Sequence, residues 1–573
     1  YLPQVLALNV LILIIAMLWA SLRPKKQVSG YNFFYNREGL VRFFALNKIE
    51  CLCFSALLAF VLVKLAINLM NPPFGWDNLN YHFTFPVEWL KHGNLDNPIS
   101  ISGDPSVSYY PINGSLFFLW FILPLKNVFI ADLGQFPFFL AAFFAVFAIA
   151  KKIGLDKEYA FFSAAIFSLI PNYFKQLRIA YIDIIVASLF LITVNFIILA
   201  KRDRSLGKLF LASVSLGLML GTKTTAMPLA LLVLVPLLWV GWSSFKRQFI
   251  YALCLIAAGI IIFGGFSFIR NYLQTGNPLY PLNFQIFNFT VFKGVIDNTV
   301  YRTGIRPGDF SLVKLLFSEG LGAQTLLLIL PASLLAPLLI LKLKKKTDFL
   351  FSYLLMLPIL LALVFRFILP LPNIRYVYTL FGIGSIIAFY GLTVLKAPKL
   401  LGRCLVFICV IASLAENGKR MELVWSFILT GLVFVFAVFL LKRINKRILK
   451  IVLAVALILS IPALIFLNND YLAHEYSRYV KTTKLSGYWP EATQAWLWMN
   501  NNTDKNNIAY IGRPVQFPLY GENFKNNVYY VSVNRVEPAM LHYFPNSKYI
   551  CGYHGNEVFR NFESPENYRG NAD

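Results

Sequence analysis

Apolar stretches of roughly twenty residues recur along this chain, and each is long enough to cross a bilayer as a helix. The chain has 573 residues, of which 58% are hydrophobic and 14% are charged. A soluble domain usually has about 25% charged residues. The sequence therefore predicts an all-α polytopic membrane protein with about fourteen transmembrane helices.

The positions of the basic residues predict which loops face the cytoplasm. The formal net charge is +25, and in a soluble chain such an excess would suggest a nucleic-acid partner. Here the basic residues cluster in short loops between apolar stretches, as at residues 23–48 and 342–346, which is typical of cytoplasmic loops. We therefore expect a lipid bilayer and no nucleic acid as partner. The alternation of charge places three segments outside: residues 74–111, 270–320 and 468–573.

The chain divides into two predicted domains. Residues 1–467 form the transmembrane domain, with an external loop at residues 71–112. The apolar piece at 113–125 is short for a crossing, so we expect a re-entrant or interfacial helix there. Residues 468–573 are polar, aromatic and mixed in charge, which predicts a small external α/β domain with a helix at 490–500 and strands at 507–512 and 527–533. The first residue is Tyr1 and the chain stops at Asn-Ala-Asp, so we expect both ends to be incomplete.

Ionisable residues at a membrane face are candidates for function. By the predicted topology, five of them reach the external ends of spans: Asp77, Asp183, Lys223, Arg270 and Arg375. Cations could hold a phosphate leaving group, and a carboxylate could deprotonate or orient an acceptor. Simpler explanations exist for each residue alone. The aspartates could cap helices, and Lys223 and Arg270 could be snorkelling anchors.

Several motifs together resemble the GT-C class of membrane glycosyltransferases. The likeness is greatest to the bacterial branch related to the protein O-mannosyltransferases and the lipid A aminoarabinose transferase. The motifs, in chain order, are Trp76-Asp77-Asn78-Leu79-Asn80-Tyr81-His82, Tyr181-Ile182-Asp183, Gly221-Thr222-Lys223, Arg270-Asn271-Tyr272 and Gly276-Asn277-Pro278. Their order and predicted sidedness cover roughly the first four hundred residues.

The resemblance implies a site at the external face and a polyprenyl-phosphate sugar donor. It implies that Asp77 is the catalytic carboxylate and Asp183 the second one, and that both contact a divalent cation such as Mg²⁺ or Mn²⁺. Lys223 and Arg270 would bind the lipid phosphate, and Tyr81, His82 and Arg375 are further candidates for substrate binding. The family's usual Asp-Glu pair is Asp77-Asn78 here, which weakens the case for a metal at this loop.

We therefore predict an integral membrane glycosyltransferase that moves a sugar from a lipid-phosphate carrier to a glycan, lipid or protein acceptor. The expected location is the bacterial inner membrane, with the site facing the periplasm. Two other classes stay open, a secondary transporter and a non-catalytic scaffold. The sequence has no inverted repeat of the kind that transporters show, and a scaffold would not need carboxylates and cations at one membrane face.

Overall fold

The computed structural model describes residues 48–70, 73, 75, 77–98, 105–286, 289–294, 296–297, 307–311, 315, 320–343, 348–369, 371–417, 490–510 and 515–530. The chain separates into two compact units, Tyr1–Phe54 and Ser55–Asp573. In the first unit, the described residues are 48–54, which begin a helix. All other elements described below lie in the second unit.

Helices make up most of the described chain. They are α1 Lys48–Met70, α2 Thr84–His92, α3 Asn113–Ile122, α4 Phe136–Lys152, α5 Lys157–Ser168, α6 Pro171–Lys175, α7 Asp183–Asp203, α8 Leu206–Leu220, α9 Ala226–Ser244, α10 Phe249–Gly264, α11 Phe266–Thr275, α12 Leu330–Leu343, α13 Phe349–Phe367, α14 Tyr378–Val394, α15 Lys399–Asn417 and α16 Pro490–Asn502. Strands β1 Leu282–Ile286, β2 Phe289–Phe292 and β3 Ile296–Asp297 form one small sheet in the order β2-β1-β3. Strands β4 Asn507–Tyr510 and β5 Asn527–Tyr530 pair in parallel.

Within the described residues, 7 helical stretches are long and apolar enough to cross a membrane. The prediction of a helical membrane protein is confirmed, but the count of about fourteen spans is not. The predicted spans at residues 3–22 and between 421 and 467 lie outside the described residues. Helix α3 has 10 residues and so is about 15 Å long. That length agrees with the expectation that this piece does not cross.

Two helices lie at the centre of the bundle. In the most apolar 18-residue window of Asp183–Asp203, 78% of residues are buried. The share is 72% in the corresponding window of Ile374–Val394 and 22% in that of Lys246–Gly264. The outer stretches therefore have apolar faces free for lipid, whereas the two central ones are covered by protein. Asp183 begins one central stretch, and Arg375 stands next to the start of the other. Packing of the two helices against each other brings these residues together.

The end of the bundle opposite Asp183 also has charged groups. Lys201, near the end of α7, pairs with Asp348, whose side chain caps α13 by accepting a hydrogen bond from Phe351 N at 2.8 Å. Asp156 caps α5 in the same way, accepting from Tyr159 N at 2.9 Å. Since α7 has 21 residues and is about 30 Å long, these carboxylates lie far from Asp183.

Close packing of glycines sets the course of α8 and α10. A Cβ at Gly217 would lie 2.5 Å from the carbonyl oxygen of Gly259, and one at Gly264 would lie 2.3 Å from that of Gly217. Small residues of this kind let membrane helices approach closely. Helix α10 ends at Gly264, and α11 begins at Phe266 after the single residue Gly265. Arg270 therefore lies within a separate short helix, which corrects the prediction that it closes the preceding span.

The described part of the C-terminal region folds as predicted, with a helix followed by two strands. The boundary predicted at residue 468 lies outside the described residues. Residues 515–530 pack against the segment between α1 and α3, which the sequence predicts to be an external loop. The rings of Phe83 and Phe517 are 5.9 Å apart, and the hydroxyl of Tyr520 donates a hydrogen bond to the carboxylate of Glu88. The described residues 490–510 and 515–530 are called the C-terminal module below. Both side chains of that bond are buried, so the bond attaches the C-terminal module to helix α2.

Replacement of Tyr520 with Phe should loosen this attachment. A hydrogen bond to a charged group contributes about 1.5–3 kcal/mol, so we expect the free energy of unfolding of the module to fall by about that amount. Faster hydrogen exchange in residues 515–530 and in α2 would be the measurement. Tyr529→Phe is the matched control, because Tyr529 is 49% exposed on the same module. Equal exchange in both variants would contradict the prediction.

Candidate active site

Asp77 lies in the segment between α1 and α2. It follows Gly75, which has a φ of +105° and at which a Cβ would lie 2.9 Å from the side chain of Ile179. Asp77 then starts a π-helical turn, Asn78–His82, yet its side chain makes no capping hydrogen bond. Its Oδ2 instead accepts a hydrogen bond from Arg375 Nη1 at 3.0 Å. The geometry therefore does not support a role as a helix cap.

Asp183 is held in a similar way by two cations. Its Oδ1 accepts from Lys223 Nζ at 2.8 Å, and its Oδ2 lies 3.7 Å from Arg375 Nε. As the first residue of α7 it also lies at the positive end of the helix dipole, which stabilises a negative charge. Its side chain is 3% exposed. The carboxylate thus remains compensated although it is buried.

Arg375 joins the two carboxylates. Asn373 Oδ1 accepts a hydrogen bond from Arg375 N at 3.2 Å and so shapes the turn that presents this side chain. The guanidinium lies over the ring of Tyr181, with its Cζ 4.6 Å from the ring centroid. Asp77, Asp183, Lys223 and Arg375 together form what we call the charged cluster. Two negative and two positive groups balance in it.

The charges of the cluster shift the pKa of Asp77. Burial alone would raise the pKa of this carboxyl, but the positive charges of Arg375 and Lys223 outweigh burial and hold it below its usual value. Asp77 is therefore ionised at neutral pH. An ion-paired carboxylate of this kind is better suited to stabilising a positive charge than to accepting a proton.

His82 lies in the same turn and is 3% exposed. Its Nδ1 is 3.1 Å from Ser115 Oγ on α3, and its ring centroid is 4.3 Å from that of Tyr81. Burial lowers the pKa of His82 to about 3, with Lys223 and Arg375 lowering it further and Asp77 raising it. The imidazole is therefore neutral at pH 7. The sequence offered no pattern that would have paired His82 with Ser115.

Arg270 has a different place from the one expected. Its Nη1 donates to the carbonyl of Leu95 at 3.1 Å, and its Nη2 donates to that of Ser108 at 3.0 Å. The neighbouring Asn271 Nδ2 donates to the carbonyl of Tyr109 at 2.8 Å. The motif that begins at Arg270 therefore ties the external loop to α11. Binding of a lipid phosphate by Arg270 stays a prediction.

The carboxylates of the cluster do not fit a divalent cation in this arrangement. Arg375 lies between Asp77 and Asp183, and Lys223 occupies Oδ1 of Asp183. Among the described residues, no group of three or more His, Cys, Asp or Glu side chains could hold a metal ion. A requirement for Mg²⁺ or Mn²⁺ stays a prediction, and we derive no step through such an ion.

Comparisons with known proteins agree with this fold. Residues 114–264 match the family model described as dolichyl-phosphate-mannose-protein mannosyltransferase. The chain is similar to the crystal structure of ArnT from Cupriavidus metallidurans bound to undecaprenyl phosphate, with 16% identity and a TM-score of 0.50 over 84% of this chain and 86% of that one. The apo state of the same protein gives 16% identity and a TM-score of 0.48 over 81% and 84%.

A more distant likeness is to the archaeal oligosaccharyltransferase AglB from Archaeoglobus fulgidus in complex with an inhibitory peptide and a dolichol-phosphate. It has 12% identity and a TM-score of 0.41 over 66% of this chain and 55% of that one. A search among curated proteins finds no match.

The family-model match and the first structural likeness confirm the resemblance to GT-C glycosyltransferases and the predicted fold class. The matched range 114–264 contains Asp183 and Lys223. Asp77 and Arg375 lie outside it, so their part in the site follows from the geometry alone.

Proposed function

We propose that this integral membrane protein is a glycosyltransferase that moves a sugar from a polyprenyl-phosphate carrier to an acceptor. The charged cluster is the observation that carries the proposal. It gathers two carboxylates and two cations from four separate parts of the chain, next to a buried histidine. The family-model match over residues 114–264 supports the same class of enzyme, and the ArnT structure with bound undecaprenyl phosphate supports the class of donor.

The transfer needs one bond to break and one to form. The bond between the anomeric carbon of the sugar and the phosphate oxygen breaks, and the acceptor oxygen or nitrogen bonds to that carbon. Negative charge develops on the leaving phosphate, where Lys223 and Arg375 would stabilise it. Positive charge develops on the sugar ring and the acceptor, where Asp77 and Asp183 would stabilise it. By analogy with the family, we expect inversion at the anomeric carbon.

The ion pairs of the cluster make binding of the donor an exchange of partners. Lys223 and Arg375 already hold carboxylates, so an incoming phosphate has to share or displace those carboxylates. The displaced negative charge then becomes available to the sugar and the acceptor. Binding of the phosphate would in this way neutralise the two cations and at the same time free the two carboxylates to stabilise positive charge. We propose further that the protein lies in a bacterial inner membrane with this site facing the periplasm.

The test uses the purified protein in lipid nanodiscs. A panel of sugars linked to undecaprenyl phosphate and to dolichyl phosphate is supplied together with an extract of membrane acceptors. We expect release of the free polyprenyl phosphate from at least one donor, measured by mass spectrometry. Failure to turn over any donor, together with transport of an unmodified solute by proteoliposomes, would refute the proposal and favour a transporter.

A further inference from the structure

His82 has one ring nitrogen without a hydrogen-bond partner among the residues that the structure describes. Its Nδ1 contacts Ser115 Oγ, whereas its Nε2 is buried and has no hydrogen-bond partner in the described structure. Buried polar atoms are nearly always hydrogen-bonded, because an unsatisfied one loses its water and gains nothing in return. A neutral nitrogen held close to three charged side chains, Asp77, Lys223 and Arg375, is suited to receive a ligand.

The two carboxylates of the charged cluster are poor proton acceptors. Asp77 is bound to Arg375, and Asp183 lies between Lys223 and Arg375. Protonation of either would break a buried ion pair and leave a cation uncompensated. The imidazole of His82 has no such pair to lose, and its lone pair is free if Nδ1 carries the hydrogen and donates to Ser115.

We infer that His82 Nε2 is the general base that takes the proton from the acceptor during sugar transfer. This inference rests on the proposed function and names a residue for one of its steps. The O–H or N–H bond of the acceptor breaks as its oxygen or nitrogen bonds to the anomeric carbon. The proton goes to Nε2, and the electron pair of the broken sugar–phosphate bond leaves with the polyprenyl phosphate.

The surrounding charges explain how a buried imidazole can accept this proton. Lys223 and Arg375 oppose a positive charge on His82, and Asp77 favours it. When the phosphate of the donor binds the two cations, their repulsion is compensated, and the negative charge of Asp77 remains. Proton transfer then becomes less costly only while the donor is in place. This order protects the imidazole from protonation by water in the empty site.

Two substitutions separate the ways in which His82 could act. Gln places a non-basic amide near the position of Nε2, and Asn keeps a polar group near Nδ1 for Ser115 but has no atom at Nε2. A general base contributes about a hundred- to ten-thousandfold in rate. We therefore expect both His82→Gln and His82→Asn to lose at least about a hundredfold in the release of polyprenyl phosphate. Binding of undecaprenyl phosphate alone should stay as in the unaltered protein.

Each alternative predicts a different result. If Nε2 only orients the acceptor, His82→Gln keeps most of the rate. If only the contact with Ser115 matters, His82→Asn keeps most of the rate. A variant that loses binding of undecaprenyl phosphate as well as turnover would show a structural role. Any of these three results overturns the assignment of the base while the unaltered protein stays active. An unaltered protein that turns over no donor would instead refute the proposed function.

Discussion

Replacement of Asp77 with Asn is expected to lower the rate of sugar transfer by about a hundredfold or more. The substitution is nearly isosteric but removes the negative charge that faces Arg375, and with it the group that would stabilise positive charge on the sugar and on His82. The rate of polyprenyl phosphate release in nanodiscs is the measurement. Binding of undecaprenyl phosphate should not weaken, because the two cations of the cluster remain.

The control for this prediction is Asp156→Asn. Asp156 is also an ion-paired aspartate, with its Oδ2 2.7 Å from Lys399 Nζ, and it caps α5 at the opposite end of the bundle. Asn caps a helix about as well as Asp, so this variant should keep its activity. If Asp77 served only to start its turn, Asp77→Asn would behave like the control. Full activity of Asp77→Asn would therefore contradict a catalytic role.

Replacement of Arg375 with Ala should affect both stability and activity. Arg375 lies against two carboxylates, and their side chains and its own are mostly buried, at 12%, 3% and 14% exposure for Asp77, Asp183 and Arg375. Removal of one partner of a buried ion pair typically costs about 3–5 kcal/mol, because an uncompensated charge stays behind. We expect the free energy of unfolding to fall by about that amount and sugar transfer to be lost. Thermal unfolding and polyprenyl phosphate release measure the two effects.

A double substitution tests whether the ion pair is the cause. If Asp77→Asn is combined with Arg375→Ala, part of the lost stability should return, since one buried carboxylate is no longer uncompensated. Arg403→Ala is the control, because Arg403 makes a comparable double contact with Glu158 but is 38% exposed. Because solvent reaches the guanidinium of Arg403 and screens this pair, its loss should cost less free energy of unfolding than the loss of Arg375, and this variant should stay active. Equal loss of stability in Arg375→Ala and Arg403→Ala would contradict the prediction.

The sequence by itself determined the class of the fold and much of the candidate site. The length of the apolar stretches predicts membrane helices, because a bilayer requires a fixed number of apolar residues and internal hydrogen bonds. The charge of the loops predicts one membrane face for five residues, Asp77, Asp183, Lys223, Arg270 and Arg375, and four of them form the charged cluster. The helix and strands of the C-terminal module also follow from local pattern. All of these properties depend on residues close together in the chain.

Only the tertiary structure decided which of these charges meet. Arg375 was one candidate among five, and the packing of the two central stretches made it the link between Asp77 and Asp183, although it is 298 residues from Asp77. Arg270 instead donates to the backbone of the external loop, and the close glycine packing before it put it in a separate helix. His82 contacts Ser115 because α3 packs beside the π-helical turn that contains His82. Such contacts depend on how distant segments pack, and no local pattern of residues encodes that packing.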